Sequence, residues 1–328
     1  MYKDGQTESA APAAEYAKAA IATSRDWSGA TARIWTAFRH DPDYILRAWG
    51  AILLLCAVDW IWAEYAGFQF AGFMPAIKGI AMLAALGFAI DCFGRVRQVA
   101  EAAHYCALWF AFAVSLVIYS YVVATLKMPL WDARLERADL ALGFNWGAGY
   151  DWIMSSNWLT RFTLEHAYNS MMVQVFVSLG FFAIIGRTDR NRELLWIGML
   201  AVVLAVTLSG PFPALGPYTT GGIPKWSAVL VKIRDGSLTK ITLAHLSGIV
   251  AFPSCHALMA VLLVYVHRPP LKTFWPVLVL NILMMAAAPF AGHHYLVDLL
   301  SGSAMVAITA PIVHAAMRPR SRARFEAV

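Results

Sequence analysis

Two short motifs combine histidine, serine and aspartate side chains at spacings that suit nucleophilic and acid–base chemistry. The first is Phe-Pro-Ser-Cys-His at residues 252–256, and the second is Gly-His-His-Tyr-Leu-Val-Asp at residues 292–298. His294 and Asp298 are four residues apart, so on a helix they share one face, one turn apart. A carboxylate there can hold the Nδ1–H of the imidazole and leave Nε2 free to attack an electrophile.

The first motif supplies groups that complement such a nucleophile. Ser254 follows a proline at a predicted helix start, where its hydroxyl and unpaired backbone N–H groups form a site for an anion. His256 is placed to donate a proton to a leaving oxygen. Cys255 and His293, which neighbour these residues, are further candidate substrate contacts. A metal site is the alternative use of these motifs, built from His256, His293, His294 and Asp298.

Membrane-spanning helices are the elements that must position the motifs. Of the 328 residues, 59% are hydrophobic and 14% are charged, whereas soluble domains are about 45–50% apolar and about 25% charged. The apolar residues form blocks close to the ~20 residues that cross a bilayer. We predict an all-α integral membrane protein with about eight transmembrane helices, at 44–66, 72–93, 103–126, 168–186, 192–209, 255–268, 273–290 and 295–317.

Basic loops set the predicted orientation of these spans. Lysine and arginine residues cluster before the first span and after the second, fourth, sixth and eighth. If those loops are cytoplasmic, the spans alternate without conflict and both termini are cytoplasmic. Spans six and eight then begin at the same outer face, which brings the two motifs together. The net charge of +6 is therefore a topology signal, and we expect no nucleic-acid partner.

This pattern divides the chain into five segments. They are a polar cytoplasmic arm (1–43), N-terminal transmembrane helices (44–126), an outer-face interfacial segment (127–167), a catalytic transmembrane core (168–317) and a basic cytoplasmic tail (318–328). The interfacial segment is rich in tryptophan, which is typical of helices at a membrane surface.

Some basic residues on the predicted outer face oppose the charge rule. They precede the first motif in the chain, and we take them as candidate contacts for an anionic substrate: Lys225, Lys232, Arg234 and Lys240.

The two motifs together resemble those of the type-2 phosphatidic acid phosphatase superfamily. Its second motif is centred on Ser-x-His, here Ser254 to His256, and its third ends in His-x-x-x-Asp, here His294 to Asp298. One branch of the superfamily, which contains fungal inositol phosphorylceramide synthase, has similar motifs. It favours Phe-Pro-Ser-x-His, and it favours His-His-Tyr-x-x-Asp followed by a small-residue turn, which corresponds to residues 301–303 here. The resemblance covers residues 252–303.

The resemblance implies a six-helix phosphatase-type core and a role for each motif residue. His294 would be the nucleophile that forms a phosphohistidine, with Asp298 orienting it. His256 would protonate the leaving group, and Ser254 would bind phosphate. The family's first motif (Lys, six residues, Arg-Pro) does not occur in this sequence, so its basic phosphate clamp is not carried over. Cys255 replaces the usual small glycine, which narrows the phosphate site.

We therefore expect a membrane enzyme that cleaves or transfers the phosphate-containing group of a lipid phosphate or phospholipid, without a metal or other cofactor. Attack by water would make it a phosphatase, and attack by a lipid or sugar hydroxyl would make it a phosphotransferase; the sequence leaves this choice open. The composition is compatible with a bacterial inner membrane, which would place the site on the periplasmic face. The sequence does not indicate an oligomeric state.

The alternative is a transporter or scaffold without catalytic activity on the same fold. Two charged residues within predicted spans, Asp59 and Lys78, would fit a transport path. They would equally fit a clamp between the first two helices.

Overall fold

The structure is a computed structural model that describes residues 42–93, 96–218 and 224–317. These ranges contain twelve α-helices and one short pair of strands. The predicted arm (1–43) and tail (318–328) lie outside the described residues, except that Pro42 and Asp43 begin the first helix.

The helices follow one another with short connections in most of the chain. They are α1 (Pro42–Tyr65), α2 (Met74–Phe93), α3 (Arg97–Ala124), α4 (Asp132–Ala141), α5 (Trp146–Ser155), α6 (Trp158–Asn169), α7 (Met171–Ile184), α8 (Thr188–Ser209), α9 (Lys225–Asp235), α10 (Cys255–Val266), α11 (Phe274–Ala291) and α12 (Leu296–Met317). The strands β1 (Gln69–Ala71) and β2 (Lys240–Thr242) pair in parallel, with Phe70 opposite Ile241.

Six described helices are long and apolar enough to cross a membrane: α1, α2, α3, α8, α11 and α12. Within a bilayer, a helix satisfies its own backbone hydrogen-bonding groups, so long apolar stretches adopt this structure. The predicted all-α integral membrane fold is confirmed, but two of the eight predicted spans differ from simple helices.

The predicted span 168–186 is the second half of a bent pair. Helices α6 and α7 differ in direction by 56°. Between them, the Ser170 hydroxyl donates a hydrogen bond to the Ala167 carbonyl at 2.6 Å, which competes with the regular helical ladder. The predicted span therefore corresponds mainly to α7, and α6 precedes it at an angle that the sequence pattern did not predict.

The predicted span 255–268 is the short helix α10, which has 12 residues. At 1.5 Å per residue it is about 18 Å long, shorter than the ~30 Å hydrocarbon core. Helix α10 packs against α7, α8, α11 and α12, and most of its side chains are buried. The irregular chain that precedes it is tolerated because it is enclosed by protein rather than by lipid.

The predicted interfacial segment 127–167 forms α4, α5 and most of α6. The Asn145 and Asn157 side chains cap α5 and α6 by accepting backbone hydrogen bonds from Ala148 and Thr160 at 3.0 and 2.9 Å, as N-cap asparagines do. Helix α4 packs on α12, whereas α5 and α6 pack on α11. These three helices thus cover α11 and α12, and their position at the membrane surface stays a prediction.

The intramembrane Asp59 contacts α3. Its carboxylate accepts a hydrogen bond from the Ser115 hydroxyl at 2.6 Å, whereas Lys78 is exposed. A clamp is therefore present, but it joins Asp59 of α1 to Ser115 of α3 rather than to Lys78.

Candidate active site

The two motifs meet where α10 and α12 begin. Ser254 is the N-cap of α10, His256 lies in its first turn, and His294 lies just before α12 begins at Leu296. The ring centroids of His256 and His294 are 6.2 Å apart. Both side chains line one cavity, so both rings can reach a group bound between them.

The orientation of His294 is set by a backbone carbonyl. Its Nδ1 is 3.0 Å from the Ala251 carbonyl oxygen and 3.5 Å from Asp298 Oδ2. A carbonyl oxygen can only accept, so the hydrogen of the neutral imidazole is assigned to Nδ1, and Nε2 keeps its lone pair. The sequence predicted Asp298 as the partner of Nδ1. The structure gives the shorter contact to Ala251, whose carbonyl leaves no sequence signal.

Asp298 connects the two motifs through both its side chain and its backbone. The fully buried carboxylate accepts a hydrogen bond from the Tyr295 backbone N–H at 2.8 Å through Oδ2. The Asp298 backbone carbonyl accepts one from the Ser254 N–H at 3.0 Å. The carboxylate is thus held beside the His294 ring, where its negative charge would favour a positively charged imidazole.

The predicted small-residue turn at 301–303 is helical and belongs to α12. A Cβ atom placed on Gly302 would collide with the Ser254 carbonyl oxygen. Helix α12 can therefore approach the first motif closely because residue 302 has no side chain. The glycine is needed for helix packing rather than for a turn.

Ser254 is fully buried and caps α10. Its Oγ accepts a hydrogen bond from the Ala257 N–H at 3.3 Å, so its lone pairs are partly used within the helix start. Cys255 lines the cavity beside His256. Phosphate binding by Ser254 and Cys255 stays a prediction.

His256 stacks on a tyrosine that the sequence interpretation missed. The Tyr168 and His256 rings are 3.9 Å apart at 16°. A Cβ atom at Gly292 would lie 2.5 Å from the Tyr168 hydroxyl oxygen, so this hydroxyl rests against the backbone of the second motif. Tyr168 precedes both motifs by many residues, and nothing in its sequence context indicates this contact.

His293 points away from the pair formed by His256 and His294. Its Nδ1 lies 3.0 Å from the Pro217 carbonyl oxygen, and its ring is not among the side chains that line the cavity. Burial lowers the pKa of His293, and the Pro217 carbonyl partly offsets this shift. The residue has a positive φ of 53°, which turns the chain between the two histidines.

The four basic candidates lie on the segment that precedes the first motif. Lys225 begins α9, Lys232 and Arg234 lie on its last turn, and Lys240 begins β2. Lys232 and Lys240 are exposed and Arg234 is half-buried. None of these last three lines the cavity that contains His256 and His294. Their role in anion binding stays a prediction.

An aspartate of α4 caps the helix that follows His294. Asp139 accepts hydrogen bonds from the Leu296 and Val297 backbone N–H groups at 2.7 and 2.9 Å, one on each oxygen. Burial raises the pKa of Asp139, and these two hydrogen bonds oppose that shift. The first amides of α12 are thus occupied by a carboxylate of the chain itself.

A second aspartate of α4 connects the loop at residues 215–216 to the second motif. Asp132 accepts backbone hydrogen bonds from Leu215 at 3.0 Å and Gly216 at 2.9 Å. It also accepts one from the Tyr295 hydroxyl at 3.2 Å. Gly216 has a φ of 77°, and a Cβ atom there would collide with the His293 carbonyl oxygen, so this position excludes a side chain.

The cavity extends from the histidines into the apolar interior. Its volume is about 420 Å³. Beyond His256 and His294 its walls are mainly apolar residues of α3, α7 and α8, among them Phe112, Leu116, Met171, Met172 and Val202. A cavity with one polar end and a long apolar wall suits a ligand with a polar head and a hydrocarbon chain.

The described residues include no group of three or more His, Cys, Asp or Glu side chains that could hold a metal ion. The alternative metal site of the sequence analysis is therefore not formed. Asp298 Oδ2 is used by the Tyr295 amide, and His293 faces Pro217.

Fold and site together define a multi-pass membrane protein with a histidine pair at the polar end of an apolar cavity. A family model described as the PAP2 superfamily matches residues 133–312, more than half of the chain, and this chain belongs to that superfamily. The curated proteins and the solved structures give no match. Members of the superfamily are typically phosphatases or phosphotransferases that act on lipid phosphates in membranes. The matched region begins in α4 and contains both motifs.

Proposed function

We propose that this protein is a lipid phosphatase or lipid phosphotransferase that works through a phosphohistidine on His294. The observation that most supports this proposal is the hydrogen bond between His294 Nδ1 and the Ala251 carbonyl at 3.0 Å. It leaves Nε2 with a lone pair at the polar end of an apolar cavity, 6.2 Å from the ring of His256 between centroids. These are the requirements for a nucleophile with a nearby acid.

In the first step, Nε2 of His294 forms a bond to phosphorus, and the bond from phosphorus to the leaving oxygen breaks. Protonated His256 gives its proton to that oxygen. The imidazole of His294 becomes positively charged because both its nitrogens are then substituted. The Asp298 carboxylate, with Oδ2 3.5 Å from Nδ1, stabilises this charge.

In the second step, the oxygen of water or of an alcohol attacks phosphorus. His256 takes the proton of that oxygen, the nitrogen–phosphorus bond breaks, and Nε2 recovers its lone pair. The same residue serves as acid and then as base, as microscopic reversibility requires. This reaction needs no metal or cofactor.

The substrate is a lipid phosphate or phospholipid whose hydrocarbon chain occupies the apolar part of the cavity. Phe112 and Met171 are examples of the side chains that line this part. Burial of each CH₂ group there contributes up to about 0.8 kcal/mol of binding when the lipid arrives from water rather than from membrane.

We propose more specifically that the phosphate-containing group is transferred to a hydroxyl acceptor rather than to water. The support for this transfer is the similarity of residues 252–256 and 292–298 to the branch that contains inositol phosphorylceramide synthase. We further propose that the protein lies in a bacterial inner membrane with this site on the periplasmic face. The choice of membrane rests on the alanine- and arginine-rich composition, and the side rests on the basic loops counted by the positive-inside rule.

The experiment uses purified protein in detergent with phosphatidic acid and a panel of phospholipids. Free phosphate and new lipid products are followed together for the wild type and for His294→Ala. Phosphate release that the variant loses indicates a phosphatase. A new phospholipid without phosphate release, also lost in the variant, indicates a transferase. Activity that survives His294→Ala would refute the phosphohistidine mechanism.

A further inference from the structure

A second cavity adjoins the histidine cavity. It is an open groove of about 710 Å³ between α5, α6 and α11. The 56° bend between α6 and α7 directs α6 away from the axis of α7. The groove therefore lies beside the bend, at the level of Tyr168.

Tyr168 is the wall that the two cavities share. It lines both the groove and the cavity that contains His256 and His294. On the cavity side its ring stacks on His256 at 3.9 Å. A molecule in the groove is thus separated from the catalytic pair by one aromatic side chain.

The groove combines apolar walls with two charged side chains of opposite sign, Arg161 and Glu165. Trp158 and Phe162 line it with 69% and 50% of their surface exposed, which suits contact with lipid. Arg161 lies on the same helix, lines the groove and is exposed. Within the part of the chain that the structure describes, its guanidinium has no carboxylate partner.

An unpaired arginine in an apolar groove is a binding group for phosphate. The guanidinium presents several N–H donors in a plane, and it binds phosphate oxygens through paired hydrogen bonds. The side chains of Lys232, Arg234 and Lys240 do not line the histidine cavity. Arg161 lies in the adjoining groove, which Tyr168 separates from that cavity. The guanidinium of Arg161 and its location therefore favour an anionic lipid head at this position.

We propose that the groove is a second lipid site, in which Arg161 binds the phosphate of a phosphate-bearing lipid before it passes Tyr168 to reach His294. The chain of that lipid lies against Trp158, Phe162 and the facing surface of α11. This inference rests on the proposed function, because it assigns the groove to the substrate of the same reaction.

Steady-state kinetics on Arg161→Gln test this site. We expect the KM for phosphatidic acid and for phosphatidylglycerol in mixed micelles to rise roughly tenfold, the effect of losing one charge-assisted contact, with kcat almost unchanged. A rise for only one of these lipids identifies the monoester or the diester as the occupant. p-Nitrophenyl phosphate has no chain and reaches His294 without the groove, so its kinetics should not change.

Two matched variants serve as controls. Glu165→Gln removes a charge of the opposite sign from the same groove, and Arg137→Gln removes an exposed arginine from α4. Neither should raise the KM for the lipids. An unchanged KM in Arg161→Gln, or an equal rise in all three variants, would overturn the second lipid site.

A binding measurement separates this inference from the proposed function. In the His294→Ala background, a diazirine-labelled phosphatidic acid should crosslink to peptides of α6 and α11, and the added Arg161→Gln change should reduce that labelling severalfold. If the wild type proves inactive but this labelling pattern holds, the proposed function fails and the site stands. If the wild type is active but no groove peptide is labelled, the site fails alone.

Discussion

The Ala251 carbonyl oxygen lies 3.0 Å from Nδ1 of His294, closer than the Asp298 carboxylate at 3.5 Å. The sequence assigned the orientation of this ring to Asp298, whereas in the structure the shorter contact is to Ala251. Ala251 fixes the tautomer through its backbone, and Asp298 contributes negative charge. This division makes the effects of side-chain variants separable.

Replacement of Asp298 by asparagine should slow the chemical step while the histidine stays in place. Because Ala251 still accepts the Nδ1 hydrogen, we expect KM to change little. The loss of charge should lower kcat by about 10²–10³-fold, the loss typical of removing one group that stabilises charge developing in the transition state. Rapid-quench measurement of acid-labile phosphoenzyme tests this. A variant that forms phosphoenzyme at the wild-type rate would exclude a charge role for Asp298.

Replacement of His256 by glutamine should affect substrates according to their leaving group. An alkyl phosphate needs protonation of its leaving oxygen, so its kcat should fall by about 10²–10⁴-fold. A nitrophenyl phosphate leaves as a stable anion, so its phosphoenzyme should form with a much smaller loss. Comparison of the two substrates in single-turnover experiments measures the difference. Equal losses for both would argue against His256 as the acid.

Replacement of Asp139 by asparagine tests how α4 positions the catalytic segment. Leu296 and Val297 each donate to a separate oxygen of Asp139, so in an asparagine the NH₂ group would replace one acceptor and face one of these amides donor to donor. The displaced helix start should lower kcat by about 10- to 100-fold, since small misplacements of reacting groups are costly, and KM should change little. Glu136→Gln on the same helix, at an exposed position, is the control. If both variants match the wild type in kcat, Asp139 has no positioning role.

Replacement of Gly302 by alanine should destabilise the protein. The added methyl group would meet the Ser254 carbonyl oxygen, and overpacking of this kind costs about 1–3 kcal/mol. Thermal unfolding in detergent should show a lower Tm together with reduced activity. Gly180→Ala, where no atom lies within 4 Å of the added group, should leave Tm close to the wild-type value. A similar Tm for both variants would contradict close packing of α12 against the first motif.

Removal of metal ions should leave the activity unchanged. The proposed reaction uses the nitrogen of His294 and the proton of His256, so it has no step that requires a Lewis acid. Turnover of phosphatidic acid before and after dialysis against EDTA measures this. A loss of activity that Mg²⁺ or Zn²⁺ restores would contradict the proposed mechanism.

The sequence by itself determined the membrane class, most of the spanning helices and the two motifs. These features are local, because composition fixes the apolar blocks and the residue spacing fixes which side chains share a helix face. The basic loops also predicted that spans six and eight begin on one side, and in the structure His256 and His294 are close together.

Only the tertiary structure decided which groups hold the site in place. Ala251 contacts His294 through its backbone across 43 positions of the chain, and Asp139 caps Leu296 across 157. Tyr168 lies beside the bend that follows α6 and stacks on His256. A backbone acceptor has no sequence signal, and a side chain's partner at long range depends on how the helices pack. For that reason the sequence could indicate the candidate catalytic residues, but the groups that orient them could be identified only in the tertiary structure.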